Sequence, residues 1–306
     1  MAQKVVLIND PGIDGAFAIA LALNDPELEV VGMLATPGNV PADQATNNLR
    51  IVLDQLDPPR LPRLGAAPEV DYGIDGTSLH GPLGLGNTDF PCASLHHLLP
   101  SEKVLAELVR QFPGELTVIC MGPATVLELA FDLHPNLPES IKRIVLVGGS
   151  LQEPGNAGPV SEFHFYCDPK AARRVIRSKA AVTLIPLDVM RKLLYAPTDL
   201  LGEATALSPA YHFLRQVIPF GIAATSNLYG IEGFHLKDVM GIVAVALPAA
   251  VHAKHMHVDV ELHGELTRGM SVFDHRSWQK TTPNVNVIVD ADYTEVRRYI
   301  NRTIGY

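Results

Sequence analysis

The feature that most restricts what this chain can fold into is a rhythm. Short β-branched apolar runs, VVLIN (residues 5 to 9), LEVVGMLAT (28 to 36), LTVICMG (116 to 122), IKRIVLVGG (141 to 149) and AVTLIPL (181 to 187), alternate with segments whose apolar residues recur at helical spacing. The intervening segments are AFAIALALN, ADQATNNLRIVLDQL, PATVLELAFDL and DPKAARRVIRSK. The runs are apolar throughout rather than at every second residue, as in strands covered on both faces. This order predicts an α/β fold, an open and mostly parallel sheet with a doubly wound, Rossmann-like core up to about residue 190.

Beyond that point, residues 208 to 230 read as a long helix and 238 to 247 as a buried one. VDVELHG, SVFDH and VNVIVD read as strands, and TEVRRYINRTI as a final helix. Two stretches break the pattern: residues 68 to 99, around TSLHGPLGLGN, and residues 149 to 165, GSLQEPGNAGPVSEFHF. Loops this long in a compact domain are usually lids or binding loops. No internal repeat, low-complexity tract or linker divides the sequence, so residues 1 to 306 are expected to form a single domain.

Composition narrows the function. A formal charge of -9 argues against a nucleic-acid partner, because phosphate binding needs an excess of Lys and Arg that is missing here. The apolar part of MAQKVVLINDPG is too short for a signal peptide, and no stretch reaches the roughly 20 apolar residues of a membrane span. A cytoplasmic protein without a membrane partner is expected. Cys92, Cys120 and Cys167 are odd in number and lack C-x-x-C spacing, so they are read as reduced thiols, with Cys120 in the core.

In open α/β sheets, ligands bind beyond the carboxyl ends of the strands. Asp10 ends the first run, Asn39 follows the second in TPGNV, MGPAT (121 to 125) follows the third, and Asn156 and Glu162 follow the fourth. Singly, each has an ordinary explanation as a turn former, a helix cap or a surface carboxylate. Their shared position after strand ends favours a site. Asp10 and Asp14 lie in one five-residue turn and repel one another. That cost is lifted by a cation, by backbone N–H donors or by protonation. A hard cation such as calcium, with 6–8 oxygen ligands, suits a strand edge rich in carbonyls.

DPGID (10 to 14), MGPAT, GNAGPVSEF, SNLYGIEGFHLKDVMGIVAVALP and VDVELHGELTRGMSVFD occur here in one order. Together they resemble the inosine-uridine-preferring nucleoside hydrolase family from about residue 4 to residue 275. The resemblance implies hydrolysis of the N-glycosidic bond of ribonucleosides, with bound Ca2+ at the end of an open α/β sheet. It implies that Asp10 is both a calcium ligand and the base that takes a proton from water, and that Met121 (by its carbonyl) and Asp238 complete the protein ligands. Asp14, Asn39, Asn156 and Glu162 would bind the ribose, and His80 and Tyr229 would lie near the nucleobase or its entrance. A homodimer or homotetramer acting on a small nucleoside or ribosyl substrate follows by the same analogy.

The chain departs from the family's opening pattern, D-x-D-P-G-x-D-D, at Ile8 and Gly15. The second change removes a carboxylate that relatives use as a calcium ligand. Weaker calcium binding is expected, with waters filling the gap, and complete loss is left open. His164 stands where relatives have a ribose-binding asparagine. Lys237 stands where many have a histidine implicated in protonating the leaving group, and His235 could replace it only if turned inward. Two readings follow: a nucleoside hydrolase, and a catalytically weakened homologue that binds nucleoside or ribose.

Overall fold

Successive residues of the central strands feed two different cores, which is why the runs are apolar without alternation. The computed structural model describes residues 2–91, 98–202, 208–276, 278 and 281–305. In chain order its strands are β1 (Gln3–Asn9), β2 (Leu28–Ala35), β3 (Arg63–Gly65), β4 (Thr117–Met121), β5 (Arg143–Val147), β6 (Val182–Ile185), β7 (Leu194–Tyr195), β8 (Phe234–His235), β9 (Val251–Met256), β10 (Val258–Val260), β11 (Ser271–Phe273) and β12 (Val285–Ala291). Eight of them form one sheet in the order β3-β2-β1-β4-β5-β6-β12-β9. All neighbours in it are parallel except β12 and β9.

On one face, Leu7, Met33, Ile119, Val145 and Ile185 pack against helices Ile13–Asn24, Pro209–Tyr229, Val239–Ala246 and Tyr293–Ile304. On the other, Val6, Ile8, Leu34, Val118, Leu146 and Leu184 meet helices Ser101–Gln111, Thr125–Leu133 and Pro169–Ile176. Ile8 is thus an ordinary core residue. Cys120 and Cys167 are buried and unpaired, as expected, whereas Cys92 lies outside the described residues.

The expected α/β class and mostly parallel sheet are present, and three local expectations change. VDVELHG and SVFDH contribute β10 and β11, an antiparallel pair apart from the main sheet. The irregular segments 68 to 99 and 149 to 165 contain the short helix Thr77–His80 and the start of Phe163–Cys167. Strands β3 and β9 and helix Ser101–Gln111 add to the elements read from sequence. Among the described residues no helix is long and apolar enough to cross a membrane.

The topology selects the site. From β1 the chain winds outward to β2 and β3, then returns to β4 on the other side of β1. The crevice between the carboxyl ends of β1 and β4 is the switch point where open α/β sheets take ligands. Asn9 and Met121, the last residues of these strands, are register partners across it.

Candidate active site

Asp10, immediately after β1, has no solvent exposure. Its two oxygens are held differently. Oδ2 accepts the Asn39 backbone N–H at 2.9 Å, while Oδ1 is buried without a hydrogen-bond partner. The Asn39 side chain also donates to the Asp10 carbonyl at 2.8 Å, so one residue fixes both ends of the aspartate. Gly38 makes this possible, since a Cβ there would sit 2.1 Å from Asp10 Oδ2. Burial pushes the Asp10 carboxyl up to about 7, against the opposing pull of the His164 charge and the Asn39 N–H.

His164 lies between this carboxylate and the open space above it. Its Nδ1 donates to the Val147 carbonyl at 2.9 Å, which leaves Nε2 3.7 Å from Asp10 Oδ1. Burial alone would lower its pKa, but Glu162, Asp10 and Asp238 outweigh burial and raise it to about 9. His164 is therefore an imidazolium at neutral pH. Glu162 caps the helix Phe163–Cys167: its Oε2 accepts the N–H groups of Phe165 and Gly149, while Oε1 lies 3.7 Å from His164 Nδ1.

A cavity of about 220 Å3 opens above these groups. Asp14, Asn39, His80, Asn156, Glu162, His164, Tyr229, Lys237 and Asp238 are on its wall, so nearly all the residues singled out from sequence meet here. Asp10 is one layer beneath that wall. His80 accepts the Ile13 N–H on Nδ1, and burial lowers its pKa to about 4, so the ring is neutral and carries its proton on Nε2. That nitrogen is 3.8 Å from Asp14 Oδ1, which places His80 against the 10 to 14 turn rather than at an exposed entrance. Asn156 turns its oxygen to the Phe163 N–H. Tyr229, in the last turn of helix Pro209–Tyr229, is 56% exposed at the rim.

His235 is on β8, on the wall of an adjoining cavity that shares Leu79, Asn156, Tyr229 and Lys237 with the first. Burial and the neighbouring Lys237 charge lower its pKa to about 4, so it is neutral.

Asn9 lies beside the turn in sequence, but the sequence does not show whether its side chain reaches the site, and it is not among the site residues singled out there. The last residue of β1, it has no solvent exposure, and its Nδ2 donates to the Met121 carbonyl at 2.8 Å and to Asp238 Oδ2 at 3.2 Å. The available signal was an amide ending an otherwise apolar strand. Asp238 carries a carboxyl pushed well above the ordinary range by burial, then by Asp14, with Asp10 adding to it and His164 opposing.

Residues 5–298 match the sequence family described as inosine-uridine preferring nucleoside hydrolase. The chain belongs to that family. Among nucleoside hydrolases it is 30% identical to the pyrimidine-specific ribonucleoside hydrolase RihA of Klebsiella pneumoniae subsp. pneumoniae, over 95% of both chains. It is 29% identical to the inosine-uridine preferring nucleoside hydrolase of Leishmania major, over 96% of this chain and 94% of that one. The solved structure of a plant nucleoside hydrolase, PpNRh1, superposes with a TM-score of 0.92 at 26% identity, covering 100% of this chain and 99% of the other. The reaction class of the family is hydrolysis of the N-glycosidic bond of nucleosides.

Nucleoside hydrolases have a metal-dependent active site, which sets a test for the residues present. Met121 and Asp238 do converge, but on the amide nitrogen of Asn9, which donates to both and so takes the position a cation would need, while Asn9 Oδ1 stays buried without a partner. Position 15 supplies no carboxylate. Among the described residues no three His, Cys, Asp or Glu side chains are grouped to hold a metal ion. The residues do not fit the expected calcium shell.

Proposed function

We propose that the chain hydrolyses the N-glycosidic bond of ribonucleosides or a closely related ribosyl compound to free base and ribose, with Asp10 as the base. The observation that carries this reading is the cavity at the β1/β4 switch point. There Asp14, Asn39, Asn156, Glu162 and His164 gather above a buried carboxylate with one unpartnered oxygen.

In the proposed reaction, the water oxygen bonds to C1′ of the ribose and one water proton passes to Asp10 Oδ1. The electron pair of the breaking C–N bond leaves with the base, which takes up a proton from solvent, and Asp10 returns its proton to solvent afterwards. Positive charge develops on the sugar only near the transition state, so the carboxylates of Asp14 and Glu162 favour that state over bound substrate. Asn39 holds Asp10 so that Oδ1 is the oxygen left to act. The imidazolium of His164 lies on the path from the cavity to that oxygen and favours its ionised form. Asn156 and Glu162 orient the sugar hydroxyls from the opposite wall. No step is assigned to a metal ion.

The two relatives at similar identity bear names that differ in base preference. The proposal therefore stops at a ribonucleoside. A homodimer or homotetramer, as the resemblance implies, completes it and is read by light scattering.

The test is incubation with inosine, adenosine, uridine and cytidine, measuring free base and reducing sugar. Equal amounts of both products from at least one nucleoside support the proposal. No release, with nucleoside binding measured by equilibrium dialysis, would replace it with the reading of a binding homologue.

A further inference from the structure

We infer that the Asn9 side-chain amide occupies the place of the metal cation, so that this active site is built to work without one. The inference deepens the proposed reading of the same cavity, but its test needs no turnover.

The argument begins with the two N–H bonds of Nδ2. They run to the Met121 carbonyl at 2.8 Å and to Asp238 Oδ2 at 3.2 Å, the two acceptors expected to face calcium beside Asp10. An NH2 group between two oxygens satisfies them as a cation would, by presenting positive hydrogen to each. In the absence of an ion this orientation satisfies both acceptors, with Oδ1 left buried and without a hydrogen-bond partner. Turning it over would set Oδ1 against the Met121 carbonyl, two acceptors with no hydrogen between them.

Gly15 explains why the amide fits. A Cβ at position 15 would lie 2.6 Å from Asn9 Oδ1, closer than real Cβ contacts allow, and 3.0 Å from Nδ2, so the amide would have to leave its present place. Any side chain there, aspartate included, would collide with the amide as placed. The missing carboxylate and the inserted amide are thus one exchange. Ile8 packs in the core and brings no charge, so neither position 8 nor position 15 supplies a carboxylate to the floor beneath the cavity.

Asn9 acts on the reaction as a positioning residue. It is adjacent to Asp10 and ties the ends of β1 and β4 to Asp238, which precedes helix Val239–Ala246. The amide thereby holds the three elements that form the floor.

The experiment measures metal content of the full-length purified protein by mass spectrometry, after equilibration with ~1 mM CaCl2 and desalting, beside thermal melts in CaCl2 and in EDTA; a ligand of the native state stabilises it with the logarithm of the ratio of its concentration to Kd, and ~1 mM is ample for a working site. Wild type is expected to carry less than about 0.1 calcium per chain and to melt within about 1 °C in the two buffers. Asn9→Asp replaces the donor with a carboxylate facing two oxygens. It is expected to melt lower in EDTA and to gain about 3 °C or more from CaCl2. Near-stoichiometric calcium in wild type, or a calcium-dependent rise in its melting temperature, would overturn the inference whether or not the variant folds. Loss of hydrolysis in a metal-free wild type would count against the proposed reaction instead.

Discussion

The floor beneath the cavity and the rim above it differ in what holds them in place. Asn9 and Asp10 belong to the end of a central strand, have no solvent exposure, and are fixed by Asn39, Met121 and Asp238. The rim is drawn from loops, the short helix Thr77–His80 and the end of helix Pro209–Tyr229. Tyr229 is more than half exposed. A group that must change its charge during reaction gains from rigid, dry surroundings, because buried charge is felt strongly there. A surface that must admit and release a base gains from mobility. On the proposed reading, the floor carries the chemistry and the rim the selection of the base.

The largest effect that can break this division is expected from Asp10→Asn. Removing a general base should lower kcat by about 10³-fold or more for every nucleoside hydrolysed, leaving the ratios between bases unchanged. The same change should stabilise the fold at alkaline pH. The Asp10 pKa in the fold is about 7, above the ordinary 3.8, so its contribution to stability is present below 3.8 and lost as pH rises through 7. Melts should therefore show the variant gaining over wild type at pH 8 and not at pH 3.5. A variant with lower activity and no such gain would mean that Asp10 is not the strained, buried carboxylate described here.

A smaller loss is expected from Gly38→Ala. The added methyl would fall 2.1 Å from Asp10 Oδ2, so the carboxylate must swing from the Asn39 N–H. A drop of about 10²-fold in kcat with KM little changed is expected, because misplacing a reacting group by about 1 Å has effects of that size. The smallest effect belongs to the rim. Tyr229→Ala should leave the melting temperature unchanged and alter kcat/KM by about tenfold or less, unequally for inosine and uridine. An equal change for both would remove Tyr229 from base selection.

The sequence made the floor's location readable and hid its construction. Strands β1, β2, β4, β5 and β6 announce themselves because both faces are buried, and Asp10, Asn39 and Asn156 follow such runs. Strand β9, VHAKHM, lies at the sheet edge with mostly exposed residues, so no apolar period marks it. Helix Ser101–Gln111 buries Val104, Leu105, Leu108 and Val109 at helical spacing, a signal that a strand-centred reading passes over. Gly15 reads in sequence as a lost ligand. Its meaning depends on Asn9 pointing across to Met121, 112 residues away, and no local pattern encodes that contact. His80 was readable as a site residue, but its neutral ring, which follows chiefly from burial, and its bond to the Ile13 N–H depend on the folded surroundings.

The most direct measure of the central claim, that a buried Asp10 at the β1/β4 switch point is the base, is the pH dependence of kcat/KM on the nucleoside turned over fastest. An ionised Asp10 is required, so kcat/KM should rise about tenfold per pH unit below 7 and level off above it. A second fall near 9 is expected as His164 loses its proton. A profile flat from pH 5 to 8, or one that persists unaltered in Asp10→Asn, would contradict the account.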